Sequence, residues 1–142
     1  MSSKVLIIGN GFVGSKLTEH LRMNNKFNVR QVSGLKYFDP ASFNSNLVSV
    51  LQTFLPNYVI NCVGYTGTPN VDACESNKED AFHLNVTIPT LIASLCTSYN
   101  SKFINISSGC IYNGYEKNFT ETDEPNNGLT NPDSSWYSKT KH

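Results

Sequence analysis

Residues 4–14 have the sequence KVLIIGNGFVG, an apolar run that ends in glycine and is followed closely by two more glycines. The apolar run predicts a strand that is buried on both faces, as in a parallel sheet. A Gly-x-Gly-x-x-Gly spacing between such a strand and a helical pattern is typical of a dinucleotide-binding turn. Gly9 allows the tight turn, Gly11 lets the backbone approach a pyrophosphate, and Gly14 permits close packing of helix on strand. The alternative is a purely structural turn.

The rest of the chain alternates strand-like and helix-like segments. The patterns predict strands at residues 4–8, 27–32, 58–62 and 102–106, and helices at residues 12–23, 40–54 and 80–99, the last interrupted by Pro89. On the first helix, Val13, Leu17 and Leu21 share the face expected to be buried. The alternation predicts right-handed βαβ units, and therefore an α/β fold of the Rossmann type with a doubly wound parallel sheet. Ligands of such sheets bind at the carboxyl ends of the strands, where residues 9–14, 64–70 and 107–110 are expected to converge.

Composition limits the classes of function. The 142 residues are enough for one domain with a real core, and 11 basic residues balance 11 acidic ones. We therefore expect no nucleic-acid partner and no anionic membrane partner. No apolar run approaches the ~18 residues of a membrane span, and the beginning of the chain does not resemble a signal peptide, which favours a cytoplasmic protein. The four cysteines lack metal-like spacing, so we expect reduced thiols and no metal site.

The segment after the second predicted strand bears on the choice of cofactor. Enzymes that use NAD place an acidic residue ~20 residues beyond the glycine loop, but residues 28–36 contain none. Arg30, Ser33 and Lys36 suit a 2′-phosphate instead, which favours NADPH, although Arg30 and Lys36 could also be solvated surface charges. Asp39 is interpreted mainly as the N-cap of the helix that begins at Pro40, close to the adenine. The full predicted cofactor site comprises Gly9, Gly11, Phe12, Val13, Gly14, Arg30, Ser33, Lys36, Asp39, Cys62, Val63 and Gly64.

Tyr137 and Lys141 are one helical turn apart, at the end of the chain. A tyrosine phenol ordinarily titrates near ~10, and a lysine on the same helix face favours its ionised form. Such a tyrosine can pass a proton to or from a sugar oxygen while a nicotinamide exchanges hydride. Ser108, at the end of the last predicted strand, is expected to hydrogen-bond the same oxygen.

Three stretches carry a resemblance to a known family: residues 61–75 (NCVGYTGTPNVDACE), residues 106–112 (ISSGCIY) and residues 136–141 (WYSKTK). With the glycine loop, they resemble the extended short-chain dehydrogenase/reductases, and among these the bifunctional 3,5-epimerase/4-reductases that complete UDP-L-rhamnose synthesis in plants. The resemblance implies a catalytic Ser108, Tyr137 and Lys141, NADPH as cofactor and UDP-4-keto-6-deoxy-glucose as substrate. It covers the cofactor half of that fold, so the substrate-binding part is expected outside residues 1–142, which would form one NADP-binding domain. A homodimer of the full-length enzyme is one arrangement that stays open.

The same resemblance gives Cys110 a role. In related GDP-fucose synthases a cysteine two residues after the catalytic serine serves in epimerisation, and Ser108 and Cys110 have that spacing. The alternative for Cys110 is a small buried apolar residue. Two rival functions remain open: a plain 4-keto reductase of dTDP sugars, and a non-catalytic nucleotide-binding regulatory subunit. Because the helix that carries Tyr137 would be cut at its first turn, we expect residues 1–142 alone to be inactive.

Overall fold

The computed structural model describes residues 2–33, 40–115 and 117–142, so the predicted cofactor residues Lys36 and Asp39 lie outside the described part of the chain. The strands and α-helices follow in the order β1 (Ser3–Ile8), α1 (Phe12–Arg22), β2 (Phe27–Val32), α2 (Pro40–Phe54), β3 (Tyr58–Asn61), α3 (Lys78–Phe82), α4 (Ile88–Ser98), β4 (Lys102–Asn105) and α5 (Trp136–Lys141). Short 3-10 turns occupy Val71–Glu75 and Gly109–Ile111, and a π-helical segment occupies His83–Thr87.

Within the described residues, the strands form one parallel sheet in the order β2-β1-β3-β4. The chain leaves β1 for β2 on one side and then returns to β3 on the other side. This reversal is the topological switch point of a doubly wound sheet, and it lies between β1 and β3. The prediction of a Rossmann-type parallel α/β fold is confirmed.

The chain divides into two compact units, of which the first comprises residues 1–63 and 88–106. Its core is built on β1, where the run from Val5 to Ile8 is buried, as expected for a central strand covered on both faces. α2 and α4 each bury a side-chain row with a four-residue spacing, and the two helices contact each other. These rows consist of Phe43, Leu47 and Leu51 in α2, and of Ile88, Ile92 and Cys96 in α4. Each large apolar side chain buried in this way contributes about 1.5–3 kcal/mol.

The buried face of α1 differs from the prediction in part. Val13 is 47% exposed and Leu17 and Leu21 are half-buried, whereas Gly14 and Thr18 are buried. The small Gly14 lets the helix approach the end of β1, and the Thr18 hydroxyl is satisfied by donating to the Gly14 carbonyl at 2.7 Å. The sequence pattern assigned the face to the bulky residues, but the closest contact is made by the smallest one.

Pro89 is predicted to interrupt the helix over residues 80–99, and the run is irregular just before it. Pro89 is the second residue of α4 and is buried. Because proline has no N–H, it cannot bond to the carbonyl four residues earlier, which belongs to Asn85 in the π-helical segment. This segment, His83–Thr87, separates α3 from α4, and such segments recur at functional sites.

The second unit comprises residues 64–87 and 107–142. It has little regular structure, and much of the segment between Ile111 and Trp136 consists of turns and bends. Its apolar cluster consists of Cys74, Ala81 and Tyr137, with Tyr65, Val71 and Trp136 packed against it. No helix among the described residues is long and apolar enough to cross a membrane.

Candidate active site

The glycine loop of the first unit lies at the switch point of the sheet. Gly9 has a φ of +109°, which an L side chain rarely adopts. A Cβ on Gly9 would stand 3.1 Å from the Cys62 carbonyl carbon and 3.2 Å from the Val63 nitrogen. The backbone after β1 therefore touches the backbone after β3, which brings three of the predicted cofactor residues together. Gln31 holds the turn by donating to the Gly9 carbonyl at 2.9 Å.

Gly11 and Gly14 have different surroundings at the beginning of α1. A Cβ on Gly14 would lie 2.3 Å from the Gly9 carbonyl oxygen, whereas no described atom lies within 4 Å of a Cβ on Gly11. α1, which is fully described, has Gly11 as N-cap with no side-chain cap and no acid in its first turn. Its first N–H groups and its positive dipole end are thus open to an anion, beside an exposed Phe12. This arrangement fits the pyrophosphate of a dinucleotide.

Gly14→Ala is expected to destabilise the chain, because the added methyl group would overlap the Gly9 carbonyl in backbone that cannot move freely. Overpacking of this kind costs about 1–3 kcal/mol, and the expected loss is in the upper part of that range. Urea unfolding monitored by circular dichroism measures it. Gly11→Ala is the matched control, since its methyl group enters open space and should lower stability by less than about 1 kcal/mol, the cost of alanine in place of glycine at an N-cap. Equal stability of the two variants would contradict the close approach of α1 to β1.

Two of the residues predicted to select the cofactor, Arg30 and Ser33, lie in the described part of the chain. Ser33 follows β2 and is exposed. The Arg30 guanidinium lies over the ring of Phe54, 6.0 Å from its centroid, and Lys4 Nζ lies 5.9 Å from the same centroid. Arg30 is also exposed and can exchange this contact for another. Its predicted role on a 2′-phosphate stays a prediction.

α5 carries Tyr137 and Lys141 and is held at its beginning by two side chains. The hydroxyl of Ser135, the N-cap, accepts from the Ser138 N–H at 3.2 Å, and the Glu75 carboxylate accepts from the Trp136 N–H at 2.5 Å. These acceptors satisfy N–H groups that a short helix would otherwise leave open.

The Trp136 ring fastens the same end of the helix to α3. Its Nε1 donates to the Lys78 carbonyl at 3.0 Å, and Lys78 Nζ lies 5.3 Å from the ring centroid. A six-residue helix is marginal by itself, so these contacts account for its order.

Tyr137 and Lys141 lie on the same face of α5, as their spacing predicts. Tyr137 is 7% exposed, and Lys141 Nζ lies 5.9 Å from the centroid of the Tyr137 ring. Burial lowers the pKa of the Lys141 ammonium, while the nearby Cys74 thiol acts in the opposite direction. Burial and then the Glu75 carboxylate raise the pKa of Cys74, and Lys141 opposes them. The second unit therefore presents a half-buried cation beside a buried phenol ring.

Asn85, in the π-helical segment, ties the Gly64 loop to α5. Its Oδ1 accepts from the Tyr65 N–H at 2.8 Å, and its Nδ2 donates to the Tyr65 carbonyl at 3.0 Å and to the Thr140 hydroxyl at 3.0 Å. A Cβ on Gly64 would stand 2.8 Å from Lys141 Nζ and 3.2 Å from Asn85 Oδ1. Gly64 therefore lies against the end of the Lys141 side chain, which a larger residue at position 64 would push aside.

Ser108 and Cys110 share one short turn. Ser108 is the N-cap of the 3-10 turn Gly109–Ile111, and its Oγ accepts from the Cys110 N–H at 3.2 Å. Accepting this bond leaves the Ser108 O–H free to donate elsewhere. Ser107, just before it, donates to the Lys141 carbonyl at 2.9 Å, so the turn is bonded to the end of α5.

All four cysteines lie in the described residues, and each is a free thiol. Cys74 and Cys96 are buried and Cys62 is half-buried, whereas Cys110 is exposed. Within residues 1–142 Cys110 is thus not one of the buried thiols, and its role in epimerisation stays a prediction. The described residues contain no cluster of His, Cys, Asp and Glu side chains that could hold a metal ion.

Sequence reasoning missed the side chains that hold the site residues in place: Cys74, Glu75, Lys78, Asn127 and Thr140. Glu75 lies 61 residues from its partner Trp136, and no local pattern links the two. Asn127 is one of many asparagines in an irregular segment, with nothing to single it out. Asn85 stands within a helical pattern, and a buried amide at such a position must find hydrogen-bond partners.

Comparison with known proteins assigns the family. The model of the RmlD substrate binding domain matches residues 3–142, and the chain belongs to that family. It is 36% identical over 104 residues to an Arabidopsis thaliana protein, the trifunctional UDP-glucose 4,6-dehydratase/UDP-4-keto-6-deoxy-D-glucose 3,5-epimerase/UDP-4-keto-L-rhamnose-reductase RHM1. It is also 36% identical over 103 residues to the bifunctional dTDP-4-dehydrorhamnose 3,5-epimerase/dTDP-4-dehydrorhamnose reductase of the same plant. Each match covers 68% of this chain.

Among solved structures, the chain resembles dTDP-4-dehydrorhamnose reductase from Bacillus anthracis in complex with NADP, with a TM-score of 0.80 at 23% identity. That match covers 99% of this chain and 47% of the reductase. The matches to the two plant proteins cover 15% and 33% of their lengths. The chain therefore spans less than half the length of each of these relatives.

Proposed function

We propose that residues 1–142 form the NADPH-binding domain of a nucleotide-sugar 3,5-epimerase/4-reductase that converts UDP-4-keto-6-deoxy-glucose to UDP-L-rhamnose. The proposal is based on the second unit, which contains four residues with the proposed roles: Ser108, Cys110, Tyr137 and Lys141. In that unit the Cys110 thiol is exposed. The Arabidopsis relative RHM1 bears both activities in its name.

Reduction at C4 of the sugar needs a hydride at the carbonyl carbon and a proton at the carbonyl oxygen. NADPH supplies the hydride when it is bound at the glycine loop. Tyr137 gives its hydroxyl proton to the oxygen, and Ser108 donates a hydrogen bond to the same oxygen. The Lys141 ammonium stabilises the phenolate that remains on Tyr137. These three side chains supply acid catalysis and positioning.

Epimerisation needs proton transfer at the ring carbons that flank the carbonyl group. The Cys110 thiolate removes such a proton, the C–H electron pair moves toward the carbonyl oxygen as an enolate, and the proton passes to Sγ. Reprotonation on the opposite face of the ring inverts the carbon. We expect the group that delivers this second proton outside residues 1–142.

The proposal is tested by incubating the intact protein with NADPH and either the UDP-linked or the dTDP-linked 4-keto-6-deoxy sugar. We expect UDP-L-rhamnose, identified by NMR spectroscopy, together with oxidation of NADPH. The second candidate, a plain 4-keto reductase, is favoured by a relative named only as a reductase, the dTDP-4-dehydrorhamnose reductase of Aggregatibacter actinomycetemcomitans, which is 28% identical over 124 residues. It would reduce an already epimerised dTDP sugar and leave the keto-glucose configuration uninverted. Cofactor binding without turnover of any sugar would indicate a regulatory subunit.

NADPH is expected to bind at least about tenfold more tightly than NADH, because one charge-assisted hydrogen bond to the 2′-phosphate is worth about 1.5–3 kcal/mol. This expectation is based on residues 28–36, which contain two cationic side chains and no acidic one. Fluorescence titration of the intact protein with both cofactors measures the ratio. Arg30→Met should reduce the preference for NADPH over NADH. Lys26→Met, which removes the same charge just before β2, should not. Equal affinity for both cofactors in the unaltered protein would contradict the preference.

A further inference from the structure

Asn127, in the irregular segment before α5, makes three side-chain hydrogen bonds that join separate parts of the second unit. Its Nδ2 donates to the Cys110 carbonyl at 2.7 Å and to the Ser138 hydroxyl at 3.3 Å. Its Oδ1 accepts from the Ser134 hydroxyl. The amide thus bonds to the turn that carries Cys110, to the middle of α5 and to the segment that leads into α5.

The backbone of Asn127 is held in the same place. Its N–H donates to the Ile111 carbonyl at 3.0 Å, and its carbonyl oxygen lies 3.2 Å from His142 Nδ1. The next residue, Gly128, is buried with a φ of +123°, and a Cβ there would stand 2.5 Å from the His142 ring. The chain can therefore bend sharply after Asn127 and keep the amide against Cys110.

The turn that carries Cys110 is held both by its own hydrogen bonds and by this amide. The bonds from the Cys110 N–H to Ser108 Oγ, from Ile111 to Ser108 and from Tyr112 to Gly109 measure 3.2, 3.5 and 3.0 Å. The 2.7 Å bond from Asn127 is shorter than all three. The Ser108 and Gly109 carbonyls accept from N–H groups within the turn, whereas the Cys110 carbonyl accepts from Asn127, an external donor. This bond orients the Cys110 peptide group, and with it the Cα–Cβ bond that carries the thiol.

We propose that Asn127 is a positioning residue for the epimerisation chemistry, which fixes the Cys110 thiol by clamping the Cys110 carbonyl against α5. The proposal rests on the function proposed above. The beginning of α5 and Tyr137 are held by Ser135 and Glu75. Loss of the Asn127 donor should therefore impair proton exchange at the ring carbons much more than reduction at C4.

Asn127→Asp in the intact protein tests this. The carboxylate has nearly the same shape and keeps an oxygen for Ser134, but it replaces the donor to the Cys110 carbonyl with an acceptor. Solvent-deuterium incorporation into the sugar ring should fall by about 100-fold, the loss expected from a misplacement of about 1 Å. Reduction of an already epimerised substrate should continue near the wild-type rate.

Asn126→Asp is the matched control. Asn126 Nδ2 donates to the Asn113 carbonyl at 2.7 Å, so the variant introduces the same charge and breaks a bond of the same length one residue away. It should leave the ratio of deuterium exchange to reduction unchanged. Hydrogen–deuterium exchange of backbone amides 110–112 should accelerate in Asn127→Asp and not in the control, independently of any substrate.

The outcomes separate the two proposals. If Cys110→Ser loses ring exchange but Asn127→Asp retains it, Asn127 has no positioning role and the proposed function stands. If Asn127→Asp loses exchange and reduction equally, its role is structural and the positioning role is refuted. If Cys110→Ser retains ring exchange, the proposed role of Cys110 fails, and the role of Asn127 fails with it.

Discussion

Tyr137→Phe in the intact protein is expected to lower the rate of 4-keto reduction by about 10²–10⁴-fold, the range that a general acid contributes. The substitution removes the hydroxyl and keeps the ring, which packs against Cys74 and Ala81. Folding should therefore be preserved. Proton exchange at the ring carbons should partly survive, because it does not need the tyrosine proton. Single-turnover oxidation of NADPH by an already epimerised substrate measures the loss.

Tyr112→Phe is the matched control for this variant. The Tyr112 hydroxyl donates to the Asp123 carbonyl at 3.0 Å, so its removal should cost about 1 kcal/mol of stability without slowing reduction. Reduction at the unaltered rate in Tyr137→Phe would show that another group donates the proton. Lys141, which would stabilise the phenolate, would then lose its proposed role as well.

Cys110→Ser is expected to abolish deuterium exchange into the sugar ring, with a loss of about 10²–10⁴-fold. Serine has nearly the same size, but an alcohol is a far weaker acid than a thiol and supplies almost no anionic base at neutral pH. Hydride transfer to an already epimerised substrate should survive. NMR spectroscopy of the sugar in D₂O measures the exchange, and NADPH absorbance measures the transfer.

Cys96→Ser provides the comparison. Cys96 is a buried thiol of α4 in the first unit, so a hydroxyl there should lower stability and leave the ratio of exchange to reduction unchanged. If Cys110→Ser exchanged deuterium into the sugar ring at the wild-type rate, Cys110 would have no catalytic role. The plain 4-keto reductase would then be the better description of the protein.

The sheet was predictable because its signals are local. β2 has the predicted bounds, and β1, β3 and β4 each differ from the prediction by one residue at one end. A continuous apolar run marks a strand buried on both faces, and glycine at its end marks the turn into α1. The spacing of Tyr137 and Lys141 was informative for the same reason, since one helical turn puts both on one face.

The prediction for α1 failed in part because a close backbone contact outweighed the apolar pattern. Apolar spacing predicts a buried face of Val13, Leu17 and Leu21, but Val13 is exposed and the two leucines are only half-buried. The lack of a side chain on Gly14 lets the helix meet the carbonyl of Gly9 at that point. The interruption predicted at Pro89 takes the form of the π-helical segment that ends two residues before it.

Residue types and spacings along the chain thus determine the doubly wound sheet, the glycine turn and the pairing of Tyr137 with Lys141, because each depends on neighbours within a few residues. The support of the site depends on folding. Asn127 lies 17 residues from Cys110, and Asn85 lies 55 from Thr140, and each amide finds its partners only when those segments meet. An asparagine carries the same donors and acceptor wherever it stands. Its role is set by which carbonyl or hydroxyl the fold brings within hydrogen-bonding distance.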